Sequence, residues 1–144
     1  MPNNSFHTLI KVNAPAEEVL KKINQVNRWW AKNVKGKSEK LNDKFHVDFG
    51  TTWVDFQITE LVTNKKVTWK VVDCNLEWIN NKKEWNGTDV VFEISSKNNT
   101  TEVDFTHLGL IPSFECYDDC KVGWTKHVTE SLVQFINEGE GMPQ

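Results

Sequence analysis

Residues 90–107 read VVFEISSKNNTTEVDFTH, and their alternation decides the fold. Val90, Phe92 and Ile94 take every second position, a polar Lys97-Asn98-Asn99 turn follows, and Val103, Phe105 and His107 take every second position again. A period of two on both sides of a short turn predicts an antiparallel hairpin with one buried face. The same reading extends upstream. Phe45, Val47 and Phe49 alternate before Gly50; Val54, Phe56 and Ile58 alternate with Trp53, Asp55, Gln57 and Thr59; and Val67, Trp69 and Val71 follow a Thr63-Asn64-Lys65 turn. Short turns between such strands predict an antiparallel meander around one interior.

Residues 5–12 predict one more strand, with Phe6, Thr8, Ile10 and Val12 on one side. Pro15 and two glutamates then start a short helix whose apolar side is Val19, Leu20 and Ile23, and residues 27–30 form a second helical piece. Residues 31–43 are lysine-rich and predict loop plus a weak edge strand, whereas residues 75–86 show no clear period. After residue 110 the period changes. Pro112-Ser113 offers a stop and an N-cap, Glu115, Asp118 and Asp119 suit the positive end of a helix dipole, and Trp124, Val128, Leu132, Phe135 and Ile136 recur at helical spacing. The expectation is one helix over residues 114–137, about six turns long, ending at Gly139 and Gly141.

With 144 residues there is room for one core, so a single domain over residues 1–144 is expected. Seven Trp and eight Phe against one Tyr must fill that core or line a pocket. A net charge of -3 and a pI near 5.8 exclude a general nucleic-acid surface, and the lysines at 32, 35, 37, 40 and 44, diluted by Glu39 and Asp43, read as solvated loop. Neither a basic-then-apolar leader nor an apolar run of membrane-spanning length is visible, and three cysteines cannot complete a disulfide framework. A cytoplasmic protein is expected.

An apolar-faced antiparallel sheet and one long amphipathic helix predict an α+β architecture. About six or seven strands wrap the C-terminal helix, and two short helices close one end. The order resembles the helix-grip fold of the START and birch-pollen-allergen (Bet v 1) superfamily, SRPBCC. Ile10-Lys-Val-Asn-Ala-Pro-Ala-Glu-Glu-Val19 is similar to that superfamily's opening strand, Ala-Pro-x-Glu-x-Val and helix, and Val26-Asn-Arg-Trp-Trp30 to the tryptophan pair after it. Phe105-Thr-His-Leu-Gly-Leu110 and Glu115-Cys-Tyr-Asp-Asp-Cys-Lys-Val-Gly-Trp124 resemble the bacterial branch related to the activator of heat-shock-protein-90 ATPase. The resemblance implies an internal cavity, often holding a lipid, hormone or polyketide, and a possible chaperone partner. It also implies that some relatives are cyclases or dehydratases, in which His107 would be the acid or base.

The inward register places Trp30, Phe56, Trp69, Phe92, Phe105, His107, Trp124 and Val128 where they would line a cavity for an apolar or lipid-like small molecule. His107 is either a ligand or proton-carrying group or a histidine satisfied by its neighbours. Gly123, inside the helix, calls for a reason, either close approach to the sheet or space for a ligand. Trp29 and Trp30 are expected to cap one end, and Trp53, Trp78 and Trp85 to lie at the rim or surface. Cys116 and Cys120, four apart, read as packed thiols, since no second close pair completes a zinc set. With no phosphate loop and no paired catalytic carboxylates, neither a cofactor nor a metal is expected.

Overall fold

The computed structural model describes residues 4–144. Seven antiparallel strands form one curved sheet in the order β1-β7-β6-β5-β4-β3-β2. They are β1 (Phe6–Val12), β2 (Asn33–Gly36), β3 (Lys44–Asp48), β4 (Trp53–Val62), β5 (Lys66–Asn75), β6 (Asp89–Lys97) and β7 (Thr100–Leu108). Every pair except β1 with β7 joins sequence neighbours, and that exception brings Phe6 opposite His107. The 90–107 hairpin forms as the alternation predicts: Val90 faces His107, Phe92 faces Phe105 and Ile94 faces Val103, all on the buried side. Register shifts between Asp55 and Phe56 and between Ile58 and Glu60 interrupt the β4–β5 ladder, the kind of irregularity that bends a sheet.

Helices α1 (Ala16–Ile23) and α2 (Val26–Trp29) follow β1. Val19 and Ile23 bury the inner side of α1. The indole nitrogen of Trp29 donates to the carbonyl of Ile23 at 3.0 Å, which fixes the angle between the two helices. The lysine-rich segment supplies the edge strand β2, and its four lysines, like Lys44 at the start of β3, are exposed.

The C-terminal helix, α3, spans residues 117–138 and departs from the expectation in two ways. It begins at Tyr117, with Cys116 as N-cap, so Pro112 to Glu115 form turns outside it. Its middle, Thr125–Leu132, is π-helical, between α-helical Tyr117–Trp124 and Val133–Glu138. The reason is legible in the spacing. Trp124, Val128, Leu132 and Ile136 are four apart, and in an α-helix each such step drifts the stripe by about 40° around the axis. Wider π turns counter that drift, and all four residues are 3% exposed or less. Beyond Gly139 the chain turns back along α2. Met142 N–H donates to Ser131 Oγ, which itself donates to the Trp29 carbonyl, each at 2.6 Å. Gln144 N–H then donates to the carbonyl of Trp30, and Lys32 N–H to that of Gln144. Gly141 is required here, because a Cβ would sit 2.6 Å from the Arg28 carbonyl oxygen.

Candidate functional site

The interior between α3 and the sheet is filled by rings. Trp69 touches Phe45, Phe56 and Phe92 with centroids at 5.2, 5.6 and 4.9 Å, and Phe105 touches Phe92 and Trp124 at 5.2 and 4.8 Å. Of the residues expected to line a cavity, Phe56, Trp69, Phe92, Phe105, His107 and Val128 are fully buried in this packing. Trp30 and Trp124 are the two that reach an opening.

That opening is a cleft of about 350 Å³ at the N-terminal end of α3. Asp119, Cys120, Gly123, Trp124 and His127 form its helical wall; Leu76, Trp78 and Trp85 come from the β5–β6 connection; Phe49, Thr52 and Val54 come from the β3–β4 turn and the start of β4. Trp30 forms the floor, with centroids 4.8 Å from Trp124, 5.8 Å from Phe49 and 6.4 Å from Trp69, so its ring separates the cleft from the core. Gln144, on the returning tail, closes one side. Two other hollows are larger, about 640 and 690 Å³, but no aromatic ring lines either, and lysine, asparagine and serine side chains dominate them.

Gly123 resolves in favour of space. A Cβ there would meet nothing within 4 Å, so the glycine is not needed for close helix-to-sheet packing. Trp78 is 48% exposed and Phe49 36% exposed, and with Gly123 they form an apolar mouth. Trp85 differs from the expectation of a rim residue: it is 6% exposed, stacked 5.9 Å from Trp124 and edge-on to His107 at 4.6 Å.

The β5–β6 connection is held by a reciprocal clamp. Glu84 accepts the backbone N–H groups of Glu115 and Cys116 at 2.6 and 3.0 Å, while Glu115 accepts those of Asn80 and Asn81 at 2.9 and 3.0 Å. The amides of Asn80 and then Asn81 hold the Glu115 carboxyl below its ordinary value. Glu115 therefore ties down a loop and takes no part in the helix. Trp78 Nε1–H donates to Asp119 Oδ2 at 3.1 Å, which fixes the exposed indole at the mouth. Sequence reading missed both contacts, since their partners lie more than thirty residues apart in a segment without periodicity.

His107 is committed on both nitrogens. Trp124 Nε1–H can only donate, and it does so to His107 Nδ1 at 3.0 Å, so Nε2 carries the ring proton and donates to Thr88 Oγ1 at 2.9 Å. Thr88 Oγ1–H in turn donates a hydrogen bond to the Trp85 carbonyl at 2.6 Å. Burial pushes His107 down to about 3, so the ring is neutral at pH 7. The chain pins α3 to β7 and to the β5–β6 connection. With both nitrogens occupied and the ring fully buried, His107 has no free position for acid or base chemistry. Gly109, at φ +105°, abuts this relay, because a Cβ would approach Thr88 Cγ2 to 2.8 Å.

The histidine at the cleft itself is His127, which sequence reading did not single out. Its Nδ1 is buried without a partner, and burial, followed by the charge of Lys126, lowers the ring to about 4. The thiols of Cys74, Cys116 and Cys120 are all free and buried. Cys116 Sγ accepts from Trp85 Nε1–H at 3.3 Å, and its hydrogen bond to Cys120, followed by burial, raises the Cys120 thiol. Among the described residues no group of three or more His, Cys, Asp and Glu is placed to hold a metal ion, and no helix is long and apolar enough to cross a membrane.

Comparison with known proteins gives the same architecture. A family model described as "Activator of Hsp90 ATPase homolog 1-like protein" matches residues 13–137. Among solved structures, the Aha1 dimer from Colwellia psychrerythraea is similar with a TM-score of 0.78 at 23% identity, over 95% of this chain and 98% of that one. CalU16 from Micromonospora echinospora gives 0.69 at 18% identity, over 96% and 76% of the two chains. A Bacillus halodurans protein gives 0.67 at 16% identity, over 96% and 98%. At these identities the likeness is one of fold. No curated protein matches the chain in sequence.

Proposed function

The chain belongs to the activator of Hsp90 ATPase homolog 1-like family, within the SRPBCC proteins, and on that premise we propose that it binds a mostly apolar small molecule in the cleft beside Trp30, Trp78 and Trp124. The observation that carries this reading is an open, aromatic-lined cleft against an otherwise filled core, with a helical glycine whose missing side chain leaves room. A volume of about 350 Å³ lies within the usual range for small-ligand sites. The unpartnered Nδ1 of His127 adds a polar group that a ligand would satisfy.

The test is a thermal-shift and native mass spectrometry panel of aromatic and lipid-like compounds against the protein and Gly123→Leu, whose side chain occupies the cleft. Binding to the parent that is lost in Gly123→Leu, with the fold retained by circular dichroism, supports the reading. Absence of any binder, or binding unchanged in Gly123→Leu, overturns it.

The family match itself favours a second reading, interaction with an Hsp90-type chaperone. Co-purification with the cognate chaperone and stimulation of its ATPase would support that role, and failure of both would remove it.

A further inference from the structure

The polar complement of the cleft points to the charge of its ligand. Among the described residues Asp119 is the one charged residue that lines it, and neither lysine nor arginine does. His127 is held neutral at pH 7 by burial, so it supplies no positive charge. The walls are the rings of Trp30, Phe49, Trp78, Trp85 and Trp124. They meet at varied angles: Trp30 is tilted 39° to Trp124, and Trp85 lies within 11° of it. Asp119 Oδ2 accepts from Trp78 Nε1–H, which leaves Oδ1 for a further donor at the mouth. Several aromatic rings beside a single carboxylate attract a cation through the ring quadrupoles. A carboxylate or phosphate would find no counter-charge in the lining and would be desolvated without compensation. The net charge of -3 adds a weak field of the same sign.

We propose that the cleft selects a ligand bearing a cationic nitrogen, an amine or quaternary ammonium, on a flat apolar body, with the nitrogen at Asp119 and the body against Trp30 and Trp124. This rests on the reading of the cleft as a small-molecule site. The alkyl or ring portion supplies contact area, and the cation supplies discrimination.

Three probes that share one body separate the two ideas: 2-naphthylmethylamine, protonated at pH 7, the neutral 2-naphthylmethanol and the anionic 2-naphthoate. Each is titrated by calorimetry into the protein and into Asp119→Asn, and the seven indole N–H resonances are followed by NMR. The expected result is that the ammonium binds about tenfold tighter than the alcohol, the size of a cation–π contact aided by a carboxylate, and that the carboxylate binds weakest. Asp119→Asn should shrink the ammonium-over-alcohol ratio severalfold, with ammonium-induced shifts in the parent centred on Trp30, Trp78 and Trp124. Equal binding of ammonium and alcohol overturns the charge preference and leaves the cleft reading standing, as does tightest binding of the carboxylate. Ammonium-induced shifts confined to Trp53, which lies on the outer face near Asp48 and Asp55, also overturn the preference. No binding of any probe overturns both.

Discussion

Mild acidification from pH 7 should destabilise this protein, and His107 sets the size of the effect. In the folded chain the ring is fully buried and titrates near 3; in the unfolded chain it titrates at the ordinary 6.5. Above 6.5 both states are neutral there and nothing is gained or lost. Below 6.5 the unfolded state takes up a proton that the folded state refuses, so stability falls as pH falls and continues to fall to about 3. At pH 5, about 1.5 units below the unfolded value, His107 alone costs about 2 kcal/mol, a sizeable share of a typical domain's stability. His127, lowered to about 4, acts in the same direction, and its partial exposure makes its share smaller. The carboxyls of Glu115, of Asp43, which accepts the Lys40 and Glu39 amides, and of Asp73, which accepts from Lys83 and the Cys74 amide, have lowered values, so their contribution is present above the ordinary carboxylate range and is lost at still lower pH. The interval from pH 7 to 5 therefore isolates the histidines. Urea unfolding followed by tryptophan fluorescence at pH 7, 6 and 5 measures the loss, and His107→Asn, which keeps an acceptor for Trp124, removes the titration. The parent should lose about 2 kcal/mol more than the variant over this interval. Equal losses, or an NMR titration placing His107 near 6.5, would refute the buried neutral relay.

Three further outcomes follow from the same geometry. Gly109→Ala forces an L side chain into the left-handed region and against Thr88; it should cost about 1–3 kcal/mol, read as a lowered Tm. Gly123→Ala should stabilise by about 0.5–1 kcal/mol, since the new methyl meets only open space in a helix, and loss of stability would mean that the backbone there is not helical. Glu84→Gln and Glu115→Gln should each speed amide hydrogen exchange over residues 78–86 and 114–116 while leaving the β6–β7 hairpin protected, and uniform protection would show that the clamp does not hold the loop.

The sheet was legible because its strands obey a two-residue alternation and its turns carry asparagine: Asn64, Asn98 and Asn99 all adopt positive φ where turns were expected. The inner stripe of α3 was legible by residue, and its strict spacing of four was the visible trace of the π segment. The candidate site was less so. Register assigns Phe56, Trp69 and Phe92 to the interior, yet it cannot tell a ring that lines space from one that fills it, since that depends on side-chain volumes meeting in three dimensions. One wall of the cleft comes from residues 49–54 and 76–85, mostly where turns replace periodicity, and is anchored by contacts such as Glu84 with Cys116 that local sequence does not encode. His127 escaped notice because it sits off the apolar stripe and reaches the cleft from the wider turn of the helix.

The tail that doubles back along α2 has a practical side. Gln144 is hydrogen-bonded through its backbone on both sides to Trp30 and Lys32 and stands at the cleft mouth. Whatever is joined to that residue emerges over the opening. Bulk attached at that position overhangs the very surface a binding assay interrogates. A solvatochromic dye coupled through a Gln144→Cys variant would sit within reach of an incoming molecule, which turns that position into an attachment site for a fluorescent reporter of occupancy.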